Sequence, residues 1–116
     1  MATSSQLGLI LVTTASETEA RTIAQGLIDA RLAACVALAP IESVYRWQGT
    51  IHQDAEYQLT IKTDLSLFDQ IAAQVTQRHS YELPEIIAVP MVSTAAYGQW
   101  VREQLAVADS EDEPIG

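Results

Sequence analysis

One cysteine, one phenylalanine, two histidines and a single lysine are all that this 116-residue chain holds of those types. The lone thiol, Cys35, excludes a disulfide framework within the chain and suits a reducing compartment. Neither histidine has a partner at i, i+4 and no CxxC occurs, so a tight transition-metal site inside one chain is not expected. Basic residues are scarce too: six against fifteen acids, a net charge of -9. Four of those acids, Asp109, Glu111, Asp112 and Glu113, fall in residues 108–116, which read as a disordered acidic tail; the remainder is still at -5. Such a surface gains nothing from counterion release on a phosphate backbone, so nucleic acid is not an expected partner. No apolar run reaches the 18 residues of a membrane span, so no membrane role is expected. The opening MATSSQ, read as a flexible segment over 1–6, lacks the charged-then-apolar order of a secretion signal, which makes the cytoplasm the expected location.

What is present is 48% apolar residues, arranged in two periods. LGLILVTTA, residues 7 to 15, is a short branched apolar run that predicts a buried strand. Ser16 with Glu19 three residues later forms a capping box, and Ala20, Ile23, Ala24, Leu27 and Ile28 mark one face of a helix ending near Arg31. From Leu32 to Thr63 the chain alternates around Gln48-Gly49, a hairpin turn; Tyr57, Leu59 and Ile61 interleave with Glu56, Gln58, Thr60 and Lys62. Pro40 marks the first arm as edge-like or bent. Asp64 caps a second helix with Phe68, Ile71, Ala72 and Val75 facing inward. EIIAVPMV predicts another buried strand, and Thr94 starts a last helix bearing Tyr97, Trp100, Val101, Gln104 and Leu105 on one face. The order β-α-β-β-α-β plus a C-terminal helix predicts an α+β, ferredoxin-like sandwich, a four-stranded sheet with two helices on one face, as one domain over 7–107.

The hairpin is long for so small a domain. Arms of about ten extended residues span some 30 Å, beyond what one chain covers. Tyr45, Trp47, Tyr57 and Leu59 on such arms are an aggregation hazard unless another copy covers them, which points to a closed homo-oligomer.

Five stretches together resemble one known family. LAACV (32–36), SVYRWQG (43–49), Glu56 with Lys62-Thr63, HSYELPEI (79–86) and the pair Tyr97 and Trp100 are similar, in order and spacing, to the CutA divalent-cation-tolerance proteins. The resemblance runs from about residue 7 to 107. It implies a ferredoxin-like fold in a PII-like homotrimer whose hairpin arms pair with neighbouring subunits. It also implies a role in tolerance of copper and other divalent ions, and small ligands met in clefts between subunits. Tyr45, Trp47, Lys62, Tyr81, Pro84 and Glu85 are the residues that it places near those clefts. A metal set of some relatives, a cysteine at the end of the first strand and two adjacent histidines, falls here on Thr13, Arg78 and His79. Only His79 retains a ligating group, since a guanidinium cannot coordinate.

Residue chemistry sets bland readings beside these. Cys35 lies in AACVALA and reads as a small buried thiol; His52, just past the turn, reads as solvated. His79 follows a helix C-terminus, where the dipole favours the imidazolium. The loop after the first strand, TTASETEA, has no glycine-rich anion cradle, and no Ser/His/Asp or Cys/His order suggests an activated nucleophile, so enzymatic activity is not expected. Glu82 and Glu85 are loop carboxylates of undefined separation. Lys62, on the polar face of a central strand, is either a solvated charge or an anchor for a small anionic ligand. Trp47, a bulky residue near the hairpin tip, reads as an interface anchor ahead of a ligand contact. The expectation is a protein that binds rather than transforms, taking Cu2+ or another divalent cation weakly and needing no obligatory cofactor. An effector-sensing regulator and a trimeric scaffold for another protein are the alternatives.

Overall fold

A computed structural model describes residues 5–106. The tail read as disordered, 108–116, and the first four residues lie outside them. Strand β1 (Leu7–Thr14) is followed by helix α1 (Glu17–Asp29), strands β2 (Cys35–Trp47) and β3 (Thr50–Asp64), helix α2 (Phe68–Arg78), strand β4 (Ile86–Pro90) and helix α3 (Ala95–Glu103). The sheet order is β2-β3-β1-β4, antiparallel throughout. This is the expected ferredoxin-like α+β sandwich. No described helix is long and apolar enough to cross a membrane.

Strand alternation separates two faces. Ile10, Val12, Leu59 and Ile61 are fully buried beneath α1 and α2, whose Ala20, Ile23, Leu27, Ile71 and Val75 complete the core. Ser16 Oγ caps α1 by accepting the Glu19 N–H at 3.1 Å, while the Glu19 carboxylate reaches back to the N–H of Ala15. Asp64 acts slightly earlier than expected, capping a short 3-10 turn, Leu65–Leu67, that leads into α2. Ser5 and Gln6 bond the same carboxylate, at 2.6 and 3.1 Å, so the segment expected to be flexible over 1–6 is anchored at its last two residues.

The opposite face carries Leu9, Leu11, Lys62, Thr60 and Cys35 and is covered only in part, by α3. That helix crosses over Leu7, and a side chain at Gly98 would come within 2.9 Å of Leu7 Cδ1. Arg102 pairs with Asp64 at 2.9 Å, and Arg31 donates to the last carbonyls of α3, Glu103 and Gln104, at 3.1 Å each. Val101 and Leu105 are buried, but Tyr97 and Trp100 stay near 40% exposed.

Two differences from the sequence reading share a physical cause. Strand β4, expected to be buried, is an edge strand with Ile87 47% and Val89 38% exposed. The hairpin arms, 13 and 15 residues, are longer than expected and stretch the chain to 54 Å against 28 and 24 Å. Its radius of gyration, 15.3 Å, exceeds the roughly 13 Å of a compact chain this size. Both features are apolar surface that one copy does not bury. Pro40 is accommodated because β2 is itself an edge strand. At the tip, Trp47 pairs with Thr50, leaving Gln48 and Gly49 as a two-residue loop with φ of 51° and 82°. Right-handed strand twist selects this doubly positive turn.

Candidate functional site

On the open face, along the outer part of the hairpin, a groove of about 720 Å³ runs between the arms and the loop joining α2 to β4. Register builds the first wall. Trp47 opposes Thr50, Tyr45 opposes His52, Ser43 opposes Asp54 and Ile41 opposes Glu56, so Tyr45, Trp47 and Glu56 share one side of the ribbon. The second wall is the loop's Ser80, Tyr81, Glu82, Leu83 and Glu85, with Thr13 beneath.

His79 positions that loop. Its side chain is fully buried, with Nε2 2.7 Å from the carbonyl of Thr13 and Nδ1 receiving the Tyr81 N–H at 3.1 Å. A carbonyl must accept and an amide must donate, so the ring is neutral with its proton on Nε2. Glu19 fixes the next residue, accepting the Ser80 N–H at 2.6 Å and its hydroxyl at 3.0 Å. Tyr81 is thereby swung onto the sheet, where its hydroxyl donates to Glu56 Oε2 at 2.5 Å. Burial, and then the hydrogen bond to Glu56 and its charge, push the Tyr81 phenol far above its ordinary range. The Tyr45 hydroxyl donates to Asp54, a bond that raises its pKa as well, and its ring stacks on His52 with centroids 5.4 Å apart.

Four of the five residues marked for ligand binding, Tyr45, Trp47, Tyr81 and Glu85, line this groove. Lys62 does not join them within one chain. It lies six residues along β3 from Glu56, about 20 Å away at strand rise, with its ammonium 5.9 Å from the centre of the Tyr97 ring. His79, the one residue marked for metal, offers no free lone pair: one nitrogen donates to Thr13 and the other accepts from Tyr81. It is the loop's anchor and not the imidazolium expected from the helix dipole, because the backbone claims it first. Cys35 is half-buried opposite Lys62 instead of lying in the core, and His52 is half-buried under Tyr45 instead of solvated. Among the described residues, no three His, Cys, Asp or Glu side chains gather as a metal cage.

The sequence reading missed Glu56 as a groove residue. In the alternation it looked like an outward polar position, yet it is only 7% exposed. Pairing outward from Gln48-Gly49 puts Glu56 on the same side as Tyr45, and that count was the available signal. Tyr81 reaching across to it depends on His79 and has no signal in the sequence.

Comparison with known proteins adds an independent line. The profile of the CutA1 divalent ion tolerance protein family matches residues 8–104. The divalent-cation tolerance protein CutA of Thermus thermophilus is 42% identical over 97 residues, 82% of this chain and 94% of that protein. Human protein CutA is 42% identical over 102 residues, 85% of this chain, which spans 57% of the human protein's length. The solved structure of CutA from Synechococcus elongatus PCC7942 superposes with a TM-score of 0.82 at 38% identity, over 91% of this chain and 95% of that one. The family match takes in both arms of the hairpin, the loop that carries Tyr81 and all of α3, and on that ground the chain belongs to the CutA1 divalent ion tolerance protein family.

Proposed function

We propose that this protein serves in divalent-cation tolerance as a cytoplasmic homotrimer that binds its ligand rather than transforming it, with the groove between the hairpin arms and the Tyr81 loop as the binding site. The observation that carries this reading is the charge of the groove. Glu56, Glu82 and Glu85 line it with two tyrosines, and no lysine, arginine or histidine stands among its lining residues. Carboxylate and phenol oxygens suit a loosely held divalent cation such as Cu2+, whereas a tight copper site would need imidazole or thiolate donors. Trimerisation is supported by exposed Val44 (68%), Ile51 (63%) and Ile87 (47%), an apolar surface too broad for a chain that stays single. Calorimetry with copper sulfate at neutral pH tests the metal half. Weak saturable heat is expected, reduced in Glu56→Gln and Glu85→Gln and retained in Cys35→Ala; no saturable heat refutes it.

A second reading has its own observation. The Lys62 ammonium sits over Tyr97 on the open face, outside every ion pair among the described residues. A small anionic effector held there, at a seam between copies, would make the protein a PII-like regulator. A thermal-shift screen of anionic metabolites should then yield a hit that Lys62→Ala abolishes.

A further inference from the structure

We propose that Glu56 is one half of a salt bridge between copies of this chain: in the homotrimer its carboxylate receives the ammonium of Lys62 from a neighbouring copy. Each copy then gives one lysine and takes one. The inference rests on the homotrimer reading and names the contact that closes the ring.

Elimination identifies the cation. Glu56 is 7% exposed, and among the described residues its carboxylate has one hydrogen bond, from the Tyr81 hydroxyl, and no ion pair. A carboxylate so little exposed calls for a positive partner. The chain has six bases to offer. Arg21 is held by Glu17 and Arg102 by Asp64, while Arg31 is engaged with the last carbonyls of α3. Arg78 reaches over Gly26 of α1, in the helix layer on the far side of the sheet. Arg46 alternates with Tyr45 and Trp47, so it points away from the side of the ribbon that they share with Glu56. Lys62 alone remains. It stands an even number of positions from Glu56 on β3, so both lie on the open face, and its ammonium meets the Tyr97 ring instead of a carboxylate.

Within one chain the two are about 20 Å apart at strand rise and cannot meet. Cyclic symmetry removes the difficulty. Neighbours in a ring of three meet through heterologous surfaces, so a residue of one copy touches a different residue of the next. An acid and a base at two places on one strand then satisfy each other all the way round, with no charge left over. The surroundings agree. Tyr97 and Trp100, their ring centroids 5.6 Å apart, stay near 40% exposed beside Lys62, and Tyr45 on the ribbon is equally open. Closing these rings on one another keeps water from the pair.

A water-soluble carbodiimide tests this on the intact protein at pH 7, because it joins a carboxylate to an amine only where the two touch. Lys62 is the chain's one lysine, which makes the joined peptide easy to assign. A denaturing gel should show bands at two and three times the mass of the chain, with Glu56 joined to Lys62 in the mass spectrum. Lys62→Arg keeps the charge but has no amine to acylate, so it should stay trimeric by light scattering and lose both bands. Dilution gives a second readout. Glu56→Gln and Lys62→Met should each raise the concentration at which the trimer comes apart by at least about tenfold. The double variant strands no charge and should hold better than the weaker of the two. A trimer in which Lys62 is joined to another carboxylate, or to none, overturns the salt bridge and leaves the homotrimer standing. A wild-type mass of one chain removes both.

Discussion

Asp64 joins three parts of the chain through one carboxylate: Ser5 and Gln6 before β1, Ser66 in the turn after β3, and Arg102 on α3. Burial alone would raise its pKa, but the hydrogen bonds from Ser5, Ser66 and Gln6 outweigh it and hold the group at about 2, against 3.8 when free. Folding lowers this pKa, so the stabilisation is whole above pH 5 and drains away as the pH falls toward 2. Asp64→Asn should therefore cost about 2 kcal/mol at pH 7 and far less at pH 2.5, read from urea midpoints at the two pH values. His79 supports a different contact set. His79→Phe keeps the ring volume but strands the Thr13 carbonyl and the Tyr81 amide, so a loss of about 2–3 kcal/mol is expected. Hydrogen exchange should show the Tyr81 amide losing its protection in that variant. Unaltered protection there would contradict the anchoring role.

At the scale of elements, the hairpin tip offers a gain instead of a loss. Gln48 occupies the left-handed region at φ 51°, where asparagine is more at ease. Gln48→Asn should stabilise the fold by roughly 0.5–1 kcal/mol, visible as a higher thermal midpoint. Most of the elements were legible in advance. Ser16 and Asp64 announced their turns, Gln48-Gly49 fixed the hairpin register, and the i, i+3, i+4 pattern of Ile23 and Leu27 gave the buried face of α1. What misled was EIIAVPMV, whose run of apolar residues suggests a strand covered on both faces. Apolar character does not tell a central strand from an edge strand, and within one chain Ile87 and Val89 stay open. The groove was half legible for a similar reason. Tyr45, Trp47, Tyr81 and Glu85 stood out by type, but Glu56 is recruited by a tyrosine twenty-five positions away and by the histidine that aims it.

For the molecule as a whole, the long ribbon and the uncovered strand edges make one assembly prediction. Light scattering at micromolar concentration should give a mass about three times the 12.6 kDa of one chain. Val44→Glu with Ile51→Glu, which places charges on the most exposed apolar positions of the two arms, should shift that mass toward a single chain. A wild-type mass of one chain would remove the trimer, and with it any ligand site at a seam.

The strand order β2-β3-β1-β4 has a consequence during synthesis. The strand made before the other three, LGLILVTT, ends up between two neighbours made much later, one closing at Asp64 and the other at Pro90. A nascent chain therefore carries a sticky, unmatched ribbon for some fifty residues of translation before β3 is available to zip against it. Helix α1, emerging directly behind it, is the first partner within reach and can shade one side of that ribbon in the interval. Ribosome-stalled chains with only the residues before 50 outside the exit tunnel should accordingly bind holdase chaperones, and those with residue 95 outside it should not.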